Sequence, residues 1–169
     1  LRHNTSGNVV VANVYLLGGV RQVTSADAGI EPFLLAVSEH GTRHYPKATL
    51  RRKTSALGSD FVVTPTVDWT MFGARTITTV LDSAWAILAD RLMYPSIQPA
   101  EVEIVRTQLL SAEKQEQDDP DAYVSDLADS IAFTGHPYSL SPTGNAVSLA
   151  SITPASLRAY ERTEIVKSR

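Results

Sequence analysis

Cysteine is absent from all 169 residues, which removes disulfides, thiolate zinc ligands and cysteine nucleophiles at once. The compartment stays open, because a chain without thiols is indifferent to the redox state around it. A basic excess is missing as well: 15 Lys and Arg stand against 18 Asp and Glu, a formal net charge of -3. Phosphate-backbone binding is therefore excluded as the main task, and no nucleic-acid partner is expected. The longest apolar run, residues 9–20, is broken by Asn13, Gly18 and Gly19. It falls short of the roughly 18 residues a membrane-spanning helix needs. No G-x-G-x-x-G, G-x-x-x-x-G-K or G-x-S-x-G motif occurs, so the common nucleotide loops and the hydrolase nucleophile elbow are excluded. No secretory leader is legible, and a start at Leu1 rather than Met leads us to expect a fragment or a processed product.

What is present is apolar residue enough, 43% of the chain, for one core in one domain of ordinary size. Residues 1–7 and 164–169 are polar and read as frayed ends. The Val-rich stretch 8–17 predicts a largely buried strand, stopped by Gly18-Gly19 and followed by a polar loop over 21–27. Ile30, Phe33, Leu34 and Val37 recur at helical spacing. They predict a helix starting near Glu31, with Pro32 in its first turn and a break at Gly41. Residues 46–57 predict a short basic helix stopped by Gly58, with Arg51-Arg52-Lys53 as a solvated face. Residues 60–67 and 70–78 predict two strands around a turn at Asp68 and Trp69.

Helices are expected over 80–93, capped by Thr79, and over 99–117, opened by Pro99. The first carries Leu81, Ala84, Trp85, Leu88 and Leu92 on one stripe. The acidic break 118–121 caps a helix over 122–133, and Thr153-Pro154 open a last one over 155–162. A hairpin with grouped helices predicts an α+β fold rather than an alternating α/β one.

The chemistry-bearing residues form no complete active site. Four histidines are present, His3, His40, His44 and His136. Glu39, His40 and His44 resemble a metal-ligand spacing, since positions four apart share a helical face. Gly41-Thr42-Arg43 between them argues for a loop, so His40 and His44 are expected as solvated surface side chains. His136 is expected as a loop hydrogen-bonder. Glu113, Glu116, Asp118, Asp119 and Asp121 could supply hard-cation ligands, but their place at a helix end favours a solvated acidic break with capping residues.

Three stretches resemble the insulinase/pitrilysin zinc peptidases, in their processing-peptidase-like branch. The first is Gly29-Ile30-Glu31-Pro32-Phe33-Leu34-Leu35-Ala36, followed by Gly41-Thr42 and Tyr45-Pro46. The second is Leu57-Gly58-Ser59-Asp60-Phe61. The third runs from Tyr94-Pro95 through Leu109-Leu110-Ser111-Ala112-Glu113, Asp118-Asp119-Pro120-Asp121-Ala122 and Gly135-His136-Pro137-Tyr138 to Ile152-Thr153. The resemblance implies a mainly antiparallel sheet packed against helices, one half of a two-domain fold. It implies residues 1–169 as a single, truncated, inactive peptidase-like domain, with open sheet edges that favour a homodimer of the fragment.

In the family an inverted H-x-x-E-H helix supplies two zinc ligands and a general base, and a later helix supplies a glutamate ligand. Laid on this chain, the resemblance puts the first histidine position at Pro32, the base at Leu35 and the second histidine at Ala36. It puts the distal ligand at Glu113, 77 positions after Ala36. Three of those four positions lack a donor atom. The expectation is therefore no catalytic residue, no metal and no cofactor, where active relatives carry zinc. The expected function is that of a non-catalytic homologue that partners an active zinc-peptidase subunit with an intact H-x-x-E-H and helps form a peptide-binding chamber. The partners are then that subunit, as a heterodimer, and an extended peptide. An alternative is a scaffold or assembly subunit without peptide processing; a third is a metal enzyme using Glu39, His40, His44 and Glu113. Similar bacterial pairs are exported, so the periplasm is the expected compartment if the source is bacterial.

Overall fold

The structure, a computed structural model, describes residues 7–165. His3 and most of the polar ends lie outside them. Three strands, β1 (Val9–Leu17), β2 (Asp60–Pro65) and β3 (Trp69–Ile77), form an antiparallel sheet in the order β1-β3-β2. Two residue rows run straight across it: Val14, Phe72 and Val63, and Ala12, Ala74 and Phe61. Strand side chains alternate between faces, so these rows share the face toward the helices.

The helices are α1 (Ile30–Val37), α2 (Lys47–Leu57), α3 (Leu81–Met93), α4 (Pro99–Gln117), α5 (Pro120–Ala132), α6 (Ala146–Ser151) and α7 (Pro154–Glu164). The expected α+β class holds. α1 sits at the centre, packed against β2, β3, α4 and α7. Ile30, Glu31, Phe33, Leu34, Leu35 and Val37 are all buried, which is why so short a helix is apolar nearly all round. Its start is set by Gly29, whose φ of 83° no β-carbon would tolerate: a Cβ there would meet the Thr143 carbonyl oxygen at 2.4 Å. Pro32 lies in the first turn, as its missing N–H requires.

Several expectations are corrected. β1 is not largely buried: Val9, Val11, Tyr15 and Leu17 are exposed. The helices cover only one face of the sheet among the described residues, and an unbroken Val run gives no sign of that. Thr79 does not cap α3; residues 78–80 form a 3-10 turn, and Val80 precedes the helix with no side-chain cap. Trp85 is 47% exposed and lies off the buried stripe, which runs through Ala84, Ile87, Leu88 and Arg91. α6 was not foreseen. Six residues are too few for a periodic pattern, yet its Asn145 and Ser148 make a reciprocal capping box. α7 continues to Glu164, two residues beyond expectation. Arg106 of α4 ties α6 down by donating to the Leu149 and Ile152 carbonyls at its C-terminal end.

The acidic break behaves as expected. Asp119 accepts from the backbone N–H groups of Asp121 and Ala122 and caps α5, which starts at Pro120. So does His136, whose Nδ1 accepts from the Tyr138 N–H at 3.2 Å. Tyr138 in turn donates to Asp68 at 2.7 Å, pinning this loop to the β2–β3 turn.

Candidate functional site

On α1, Leu35 is 1% exposed and belongs to the central apolar cluster, while Ala36 packs against it. Pro32 is half-buried. None of these three side chains carries a nitrogen, oxygen or sulfur atom. Glu113 stands on α4, the helix packed against α1, and its carboxylate accepts from the Gln117 amide one turn on. α4, which carries Glu113, thus packs against the helix that carries Pro32, Leu35 and Ala36.

The polar chemistry lies one step further along, where α1 runs into a 3-10 turn, Ser38–His40. Arg91 of α3 is 4% exposed and is the focus. Its Nε donates to the Ser38 hydroxyl at 3.1 Å, and its Nη2 donates to the Glu39 carboxylate at 2.9 Å and to the Leu35 carbonyl at 3.4 Å. Its guanidinium lies 4.9 Å from the Phe72 ring centre and 5.4 Å from that of Phe61, distances at which ring quadrupoles attract a cation. Burial pulls its pKa below the usual arginine value, and Glu39 partly offsets that. Residue-by-residue reading missed Arg91. The available signal was a charged side chain at positions 84, 87, 88 and 91 of an otherwise apolar helical stripe.

His40 is the main correction among the candidate residues. Its side chain is only 16% exposed, and its Nδ1 lies 2.5 Å from a Glu101 oxygen that also accepts from Lys47 at 2.6 Å. A carboxylate only accepts, so Nδ1 carries the hydrogen. Hydrogen bonds from Lys47 and then His40 hold the Glu101 carboxyl below the usual carboxylate range. His44 is 57% exposed, as expected of a surface side chain, but it is anchored: its Nδ1 lies 2.6 Å from Asp90, which also accepts from the Thr42 hydroxyl. These two clasps fasten the loop after α1 to α3 and α4.

The proposed ligand set Glu39, His40, His44 and Glu113 is not brought together. Each faces a different partner: Arg91, Glu101, Asp90 and Gln117 respectively. Among the described residues no three His, Asp or Glu side chains converge where they could hold a metal ion. Arg51, Arg52 and Lys53 are exposed, as a solvated face requires. Beside them, Glu39, His40, Lys47, Leu50, Arg51 and Arg91 line a cavity of about 360 Å³.

Comparison with known proteins follows that geometry. Residues 1–145 match the family model for insulinase, peptidase family M16. No curated protein matches the chain. A peptidase M16 inactive domain from Pseudomonas fluorescens superposes with a TM-score of 0.79 at 20% identity, over 92% of this chain and 38% of that one. The periplasmic protease PqqL from Escherichia coli superposes with a TM-score of 0.84 at 18% identity, over 94% of this chain and 18% of that one. A protease from Helicobacter pylori gives 0.82 at 16% identity, over 94% and 38%. At such identities the likeness is one of fold, and the chain spans well under half of each of these proteins.

Proposed function

The chain belongs to the insulinase family, peptidase family M16, and from that premise we propose that it is a non-catalytic domain that pairs with an active zinc metallopeptidase and helps to wall its peptide-binding chamber. The observation that carries this reading is Leu35. The resemblance puts the proton-accepting glutamate at this position of α1, and Leu35 is sealed in the core at 1% exposure. A carboxylate could not take its place there without a partner for its charge.

Zinc does not fit these residues. A catalytic site needs three protein ligands and a water. Pro32 and Ala36 offer no donor, and Glu113 alone is one carboxylate, already engaged by Gln117. Without a metal, a water molecule keeps its pKa of about 15.7 instead of about 7, and loss of the base removes a further factor of about 10²–10⁴. No hydrolytic step is assigned to this chain. The solved inactive domain of the same family supports a role without catalysis, and the H-x-x-E-H-bearing partner supplies the chemistry.

The test uses the full-length protein purified from its native source. Zinc is measured by elemental analysis, and cleavage of fluorogenic peptides is assayed with and without co-purified proteins. The expected result is no zinc and no cleavage by the isolated protein, with an H-x-x-E-H peptidase among its co-purifying partners. One tightly held zinc per chain together with chelator-sensitive cleavage would refute the reading. Co-purification with non-peptidase proteins alone would replace it with an assembly role.

A further inference from the structure

The cavity beside the end of α1 carries more positive charge than its surroundings neutralise. Lys47 and Arg51 stand one turn apart on α2, and Thr54 and Ser55 extend the same wall by another turn. Of the cationic lining residues, Lys47 is engaged by Glu101 and Arg91 by Glu39, while Arg51 has no ion pair among the described residues. Glu39 is the sole acidic residue of the lining.

The Arg91 guanidinium is the decisive group. Nε and Nη2 are committed to Ser38, Leu35 and Glu39, whereas Nη1 makes no hydrogen bond among the described residues. Nor is Nη1 sealed in the protein, since it is not among the buried polar atoms that lack a partner. Arg91 is itself part of the cavity wall. A rigid, planar guanidinium that lies over two aromatic rings, keeps one nitrogen uncommitted and walls a small cleft is pre-organised for an oxyanion. Leu50 and Phe61 supply an apolar wall beside it. A cavity of about 360 Å³ has the size of a small-molecule site rather than a macromolecular groove.

We propose that this cavity binds a small organic oxyanion, a carboxylate or phosphate carried on a short apolar body, with Arg91 Nη1 donating to the anion, Arg51 and Lys47 at its rim, and Leu50 and Phe61 against its apolar part. Pro32, Leu35 and Ala36 are not among the residues that line it.

The experiment is an NMR titration of the full chain, labelled with nitrogen-15, at low ionic strength. The probes are phenyl phosphate, phenylacetate and benzyl alcohol, which share the ring and differ in charge. Saturable shifts are expected at the residue 47–55 amides and at the Arg91 side-chain Nε–H with an anionic probe, and none with benzyl alcohol. Tighter binding of phenyl phosphate assigns a phosphate ligand, and equal or tighter binding of phenylacetate assigns a carboxylate. Arg51→Gln, at an exposed position where folding is not at stake, is expected to weaken binding roughly two- to fivefold, the value of one exposed charge. Failure of both anions to saturate in the millimolar range overturns the proposal. So does an equal response to benzyl alcohol, or affinity unchanged in Arg51→Gln.

Discussion

At Gly29 the chain turns through a positive φ directly against the Thr143 carbonyl and Gly144, so a side chain would meet backbone that has nowhere to go. Gly58, at the end of α2, also has a positive φ, but its surroundings are open. The pair separates two costs. Gly58→Ala should lose only the left-handed penalty, about 1–2 kcal/mol, whereas Gly29→Ala should lose that and the steric clash, so well over 2 kcal/mol. Urea unfolding of the two variants measures the difference, and equal losses would contradict the close approach. Leu35 makes the same point for function. Leu35→Ala should cost about 2–5 kcal/mol in the same assay, because it empties a filled core position. That is the behaviour of a packing residue, not of a spare active-site position. A loss under about 1 kcal/mol would show that the position tolerates change.

Among the elements, the loop after α1 is held by ion pairs whose strength depends on pH. Glu101 titrates below the ordinary carboxylate value of about 4.5 because Lys47 and His40 donate to it. The sign follows: its stabilisation is complete above that ordinary value and is lost as pH falls through the lower folded-state value. Glu101→Gln should therefore reduce stability at neutral pH by a few tenths to about 1 kcal/mol, with the difference from wild type vanishing in acid. Thermal unfolding followed across pH reads this directly.

Glu116, near the end of α4, is the opposite case. Burial, then Asp126 and Glu113, push its carboxyl above the usual value. Its ionisation opposes folding, so stability is lost as pH rises through the folded value. Glu116→Gln should raise the unfolding midpoint slightly at neutral pH and leave it unchanged in acid; a lowered midpoint would mean that its charge is paired. At this scale the caps were legible locally, as Asp119 and Thr153 show, because capping joins neighbours in sequence. His40 was not legible, because its partner lies 61 residues away.

At the scale of the whole molecule, the outer face of the sheet is largely apolar and uncovered among the described residues, with Asn13 and the Asp60–Arg75 ion pair as its polar points. Val9, Val11, Tyr15, Leu17, Val62 and Ile77 are exposed, and β1 and β2 form the edges of the three-stranded sheet. Apolar strand faces with unpaired edges favour association. Sedimentation velocity should show concentration-dependent self-association of the chain that Val11→Lys with Val62→Lys suppresses; undiminished association in the double variant would place the contact elsewhere.

Periodicity and capping determined most of the helices and the hairpin from the sequence alone, since those signals are local and repeat within a few residues. The absence of donor atoms at Pro32, Leu35 and Ala36 was equally plain, because it is a matter of side-chain composition. Which face of β1 is covered, that Arg91 is the buried cation of α3, and that His40 closes on Glu101 while Glu113 turns to Gln117 were decided only by the tertiary structure. Burial and charge pairing between distant segments depend on where the backbone carries each side chain, and no short window of residues contains that information.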